Sequence, residues 1–165
     1  MPDHAALVDA VRALAVLSRV VNPVAADLSP ADYRVMSVIA SGEDRASRLA
    51  ARLALGRPTI SATVDSLSGR GLISRSSVPG DQRATALSLS PDGVEVLARI
   101  EGRMARQLEL LCERTPDGER VIESLSWLGA VVEAAIDDRI DREQRTPEPP
   151  SDEPPAGGPA SEHPA

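Results

Sequence analysis

The residues of this chain that can do chemistry are its arginines. All 18 basic residues are Arg, set against 25 acids, for a net charge of −7. Seven of them (45, 48, 52, 57, 70, 75 and 83) fall between residues 45 and 83 beside only Asp65 and Asp81, a net +5 in a chain whose remainder carries −12. A guanidinium is a permanent cation with a planar fork of donors, suited to holding phosphate or carboxylate and unsuited to moving protons. A basic island in an acidic chain is the footprint of a local anion-binding surface, with the acidic parts directed away from it. The absence of Lys and the abundance of Ala also fit a GC-rich genome, so the distribution of Arg carries the argument and the number does not.

Other chemistries find little support. The single Cys, Cys112, excludes an intramolecular disulfide framework and a Cys-rich zinc site. Beside Leu110 and Leu111 it reads as a small buried hydrophobe rather than a redox sensor. His4 and His163 lie near opposite ends, so neither a His-based metal cluster nor a Ser–His pair can be assembled. No phosphate loop or activated nucleophile is found, and we expect neither an enzyme nor a cofactor. The N-terminal stretch lacks a basic leader, and the longest uncharged run, Ser124 to Val132, is nine residues, which predicts a cytoplasmic protein without membrane contact.

The elements that must position the arginines can be read from periodicity. Ile60, Val64 and Leu67 recur at helical spacing and predict a helix over Pro58–Leu67 with Thr59, Ser61, Ala62, Asp65 and Ser66 facing elsewhere. A preceding helix over 46–53 points Leu49, Ala50 and Leu53 inward, and Ala54-Leu55-Gly56 turns between the two. After a stop at Gly69-Arg70-Gly71, a strand starting at Leu72–Arg75 and another over Thr85–Leu89 flank a turn at Val78-Pro79-Gly80-Asp81. This is a helix-turn-helix with a wing. Upstream, Ser29-Pro30-Ala31-Asp32 opens a helix with Ser29 as N-cap and Pro30 at the first helical position, burying Tyr33, Val35 or Met36, and Ile39.

Three further helices lie outside that unit. One runs from Ala5 to about Val21 and ends at Asn22-Pro23. Another starts at Ser90-Pro91-Asp92-Gly93 with apolar positions 94, 97, 100, 104, 108 and 111, and a last one follows Thr115-Pro116-Asp117. They are more apolar than one small domain needs, and a helical dimer interface is the economical use for them. From Thr146 onward seven Pro, four acids and no large apolar residue predict a disordered tail. The expected organisation is a mainly α fold with a small β wing: residues 1–28 a dimerisation helix, 29–92 the winged unit, 93–145 dimerisation helices and 146–165 the tail.

Over residues 28–93 the sequence resembles the MarR family of bacterial transcriptional regulators. The resemblance is carried by Leu28-Ser29-Pro30, by Arg48-Leu49-Ala50-Ala51-Arg52-Leu53 and by Thr59-Ile60-Ser61-Ala62-Thr63-Val64-Asp65-Ser66-Leu67. Gly71-Leu72-Ile73, Asp81-Gln82-Arg83-Ala84 and Leu87 through Gly93 complete it in the same order. It implies a homodimer binding duplex DNA at a pseudo-palindromic operator, usually as a repressor, with release by a small aromatic or phenolic effector in many members. The helix over 58–67 would enter the major groove. Arg83 would reach the minor groove, with Asp81 fixing the wing turn.

Candidate DNA contacts are then Arg57, Pro58, Thr59, Ser61, Ala62, Arg70, Arg75 and Arg83, with Arg48 and Arg52 on the preceding helix as phosphate contacts. Ala62 and Ser66 are short where the family commonly has long side chains. That shifts weight toward Arg57, Thr59, Ser61 and a thymine-methyl contact by Ala62. Trp127 and Tyr33 read as core or interface packing. The alternative reading is a winged-helix protein-interaction module that does not bind DNA.

Overall fold

The computed structural model describes residues 3–21, 28–78 and 81–145, the side chains of 78, 81–84 and 144 excepted. The expected break at Asn22-Pro23, the turn residues Pro79-Gly80 and the tail from 146 lie outside the described residues. The element order is α1 (His4–Val21), α2 (Pro30–Ala40), α3 (Ala46–Leu53), α4 (Arg57–Gly69), β1 (Ile73–Val78), β2 (Asp81–Leu89), α5 (Pro91–Cys112) and α6 (Gly118–Arg145). The fold is mainly helical with one two-stranded antiparallel sheet, as its periodicity predicts.

Local capping chemistry sets several of these boundaries. The Ser29 hydroxyl accepts from the Asp32 N–H at 3.1 Å and the Asp32 carboxylate accepts from the Ser29 N–H at 3.0 Å, a reciprocal capping box that starts α2. Ser90 repeats half of this device for α5, accepting from the Gly93 N–H at 2.9 Å. Ser90 also closes the base of the wing, its N–H donating to the Leu72 carbonyl at 3.0 Å and its hydroxyl to the Gly71 carbonyl at 2.6 Å. The chain is so close here that a Cβ on Gly93 would lie 2.1 Å from the Leu72 oxygen, which is why the position takes glycine.

The core sits inside the winged unit. Val35, Met36 and Ile39 of α2, Leu49 and Ala50 of α3, Ile60, Val64 and Leu67 of α4, Leu72, and Ile73 and Leu87 of the sheet close on Leu97 and Ile100 of α5. Tyr33 is half-buried against this cluster. Its phenol is pushed above the usual tyrosine range by burial and by the nearby Glu101 carboxylate, with a Ser37 hydrogen bond pulling the other way.

The arm helices behave differently. No residue of α1 is buried, and Val94, the first apolar position of α5, is 55% exposed. Trp127 projects from α6 at 73% exposure, so it is no part of the core of this protomer. Where α5 gives way to α6, the Cys112 carbonyl accepts from the Thr115 N–H and hydroxyl, and Cys112 itself is buried.

Candidate nucleic-acid interface

Helix α4 is anchored on one face and open on the other. Ile60, Val64 and Leu67 are 1, 3 and 0% exposed, while Arg57, Pro58, Thr59, Ser61, Ala62 and Ser66 are all exposed. Burying three such aliphatic side chains contributes about 1.5–3 kcal/mol each, which holds the helix rigidly enough to present the opposite face. The helix extends one residue before and two beyond its predicted span, because Pro58 occupies the first turn, where its missing N–H costs nothing, and Gly71 at φ +73 ends the run. The turn from α3 is made by Ala54 at φ 51, a left-handed conformation that usually falls to glycine. Gly56 instead takes an ordinary extended φ of −61 as the N-cap of α4.

The wing pairs Ile73 with Leu89, Arg75 with Leu87 and Ser77 with Thr85, then shifts register so that Val78 opposes Asp81. The first strand runs to Val78 and the second begins at Asp81, longer than the alternation alone predicted. The Leu87 N–H also donates to the Asp44 carbonyl at 2.8 Å, which ties the wing to the segment before α3. The Arg83 and Asp81 side chains lie outside the described residues, so their expected roles at the wing tip stand as proposals.

The remaining candidate arginines divide into two groups. Arg57 is exposed and has no hydrogen bond or ion pair among the described residues. It lines a cleft of about 340 Å³ between α4 and the wing, with Ser61, Arg75 and Thr85. It also borders a second cavity of about 440 Å³ with Arg45, Ser47 and Arg48. The others are engaged. Arg75 pairs with Asp65 at 2.5 Å and Arg70 with Asp32 at 3.4 Å, both at the surface. Arg48 lies 3.1 Å from Glu43 and 4.0 Å from Asp141, and Arg52 pairs with Glu133 and Asp137. Arg52 therefore faces α6 rather than joining the open face of α4, while Arg48 is held chiefly by Glu43.

The hydroxyls also separate. Thr63 donates to the Thr59 carbonyl at 2.9 Å, satisfying itself within its own helix, whereas the Thr59 and Ser61 hydroxyls make no such bond among the described residues. Sequence reasoning missed Arg45 and Ser47 as neighbours of Arg57. Arg45 was counted in the basic island, but nothing local signals that the start of α3 and the start of α4 share a cavity. The engagement of Arg48 and Arg52 by α6 did leave a signal, a spacing of four residues among arginines on one helix and among acids on another.

Comparison with known proteins places this geometry. Residues 26–84 match the family model described as the MarR family. The chain is 36% identical over 94 residues to the putative transcriptional regulatory protein for the hcr operon of Thauera aromatica, across 56% of this chain. That match spans 57% of the relative, a little over half its length. Among solved structures, the transcriptional repressor CouR bound to a 23-mer DNA duplex superposes with a TM-score of 0.57 at 27% identity, covering 78% of this chain and 89% of that one. A MarR-family transcriptional regulator from Rhodococcus sp. RHA1 gives a TM-score of 0.63 at 20% identity, covering 80% and 96%.

Proposed function

With residues 26–84 matching the MarR family model, we propose that this protein is a MarR-family, sequence-specific DNA-binding transcriptional regulator that acts as a homodimer. The observation that carries the reading is the open face of α4, where Arg57, Thr59 and Ser61 are exposed and uncommitted on a helix whose other face is fully buried. Placed in the major groove, that face offers two short hydroxyls and the Ala62 methyl to base edges. Arg57 reaches a phosphate at the N-terminal end of the helix, where the backbone dipole assists it. Arg83 at the wing serves the flanking minor groove, whose narrowness concentrates negative potential.

The homodimer is supported by the arms. Helix α1, the end of α5 and the first turns of α6 border an apolar groove of about 950 Å³ that includes Leu14, Leu17, Val20, Val121, Leu125 and Leu128. A second copy covers such a surface by the same patches on both chains. Two recognition helices related by a two-fold axis then read half-sites about one helical turn apart, ~10 base pairs or a multiple. Repression of the bound promoter, and release by a small aromatic or phenolic effector, belong to the same reading. The likeness to CouR, a transcriptional repressor bound to a DNA duplex, supports the DNA-binding part.

The test is selection of bound duplexes from a random library, followed by retardation assays across a salt series. A palindromic consensus whose binding weakens steeply with salt is the expected result, since log affinity falls by about 0.9 per phosphate neutralised for each log unit of salt. Equal retention of all duplexes at low salt, or no retention, would refute the reading in favour of a protein-interaction module.

A further inference from the structure

Helices α3 and α6 meet along two matched rows of charge. Arg48 and Arg52 lie one turn apart on α3, and Glu133, Asp137 and Asp141 follow at intervals of four on α6. Arg52 pairs with Glu133 and Asp137, while Arg48 sits 4.0 Å from Asp141, so the two helices run in opposite directions along the contact. Arg139 adds a bond of the reverse sense, its Nη2 donating to the Ala51 carbonyl at 3.2 Å near the C-terminal end of α3. Ile140, 2% exposed, provides the apolar part of the contact.

The two sides of this contact are not equally exposed. The Arg52 side chain is 14% exposed, whereas those of Glu133 and Asp137 are 61% and 52% exposed. The cation is the desolvated partner, and depriving it of both acids strands a largely buried charge. Either acid released from Arg52 simply returns to water, so the pairing disciplines Arg52 far more than it disciplines α6.

The contact joins parts with different tasks. The first turns of α6 border the apolar groove with α1 and α5, while its last turns hold α3, which packs directly on α4. A rod fixed at one end to the dimer arm and at the other to the reading head determines where α4 points. We infer that Arg52 is a positioning residue whose pairing with Glu133 and Asp137 sets the separation and angle of the two recognition helices, and hence the half-site spacing the dimer accepts. The inference rests on the homodimeric, DNA-binding reading above. An alternative in which the acids merely withhold Arg52 from phosphate gives the opposite sign on acid removal, which makes the two separable.

The experiment uses the full-length chain. Spin labels on Ser66→Cys of α4, in a Cys112→Ser background, report the distance between recognition helices without DNA, and unlabelled protein is titrated against its own selected duplex and against versions with one base pair added or removed. One base pair turns a half-site by about 35°, enough to lose contacts worth roughly tenfold or more in affinity. Wild type should show a narrow distance distribution and at least about that discrimination. Arg52→Ala, and Glu133→Gln with Asp137→Asn should Arg52→Ala fold poorly, should broaden the distribution and reduce discrimination to less than about threefold.

Unchanged distances and unchanged spacing preference in these variants overturn the inference. So does tighter binding by the acid-removed variant at the original spacing with an unchanged distance distribution. A wild type giving no inter-label distance overturns both the dimer reading and this inference. A sharp distance that broadens in the variants, without any selected duplex, upholds the positioning role of the pair and overturns only the DNA-binding reading.

Discussion

Helix α4 keeps Ile60, Val64 and Leu67 at no more than 3% exposure, whereas α6 leaves Val121, Ile122, Leu128, Val131 and Val132 between 38% and 66% exposed. Both helices carry apolar residues in a similar rhythm. The difference lies in what surrounds them: α2, α3, the sheet and α5 complete the environment of α4 within one chain, while α6 meets α3 through its last turns, also touches α5, and shares an open groove with α1. A closed core and an open groove of comparable apolar character in one molecule show that the winged unit is self-sufficient and the arms are not. Burial per residue therefore separates the half of the chain that folding closes from the half that the proposed second copy would cover.

That contrast can be broken in several places, with effects that shrink as the substitution moves away from closed packing. Leu67→Ala, at a fully buried position, should destabilise the fold by about 2–5 kcal/mol in a urea titration, through lost transfer energy and a residual cavity. Leu128→Glu, in the exposed groove, should leave that unfolding transition nearly in place yet weaken self-association by roughly a hundredfold or more in sedimentation equilibrium, because a carboxylate would have to be desolvated at the interface. A folding defect as large as that of Leu67→Ala would erase the distinction drawn between arm and core.

Smaller changes sharpen it. Arg83→Ala should reduce affinity for a selected duplex by about tenfold, with dimerisation untouched, if the wing guanidinium serves the proposed groove and phosphate contacts. Ala54→Gly should raise stability by about 0.5–1 kcal/mol in thermal denaturation, relief of the left-handed strain outweighing the added freedom of the unfolded chain. Removing residues 146–165 should leave both melting temperature and duplex affinity where they are, because a Pro- and acid-rich segment has no large apolar side chain to contribute.

The parts of the fold visible in the sequence are those fixed by local chemistry. Ser29, Pro30 and Asp32 announce the start of α2, Ser90 and Pro91 that of α5, and the spacing of Ile60, Val64 and Leu67 announces the buried face of α4, since caps and periodicity act within a turn or two. What was not legible depends on neighbours far along the chain. Ala54 adopts the left-handed turn in place of the nearby glycine, and no residue pattern at that turn announces it. The helix carrying Arg52 offers it as a phosphate contact, and the acids it pairs with lie more than eighty residues away on α6, beyond the reach of local pattern. The open face of α4 was readable as a face. Which arginines remain uncommitted around it was not, because pairing is decided by tertiary approach.

The clasp between Gly71-Leu72 and Ser90 has a consequence for how such a protein can change. The base of the hairpin is held by two hydrogen bonds and by a glycine that admits no side chain, by Ile73 and Leu87 in the core, and by the Leu87 bond to Asp44. Residues inserted or lost between the strands alter the reach of the wing while α4 and α5 keep their places. The outer part of the wing can thus change in length without disturbing α4.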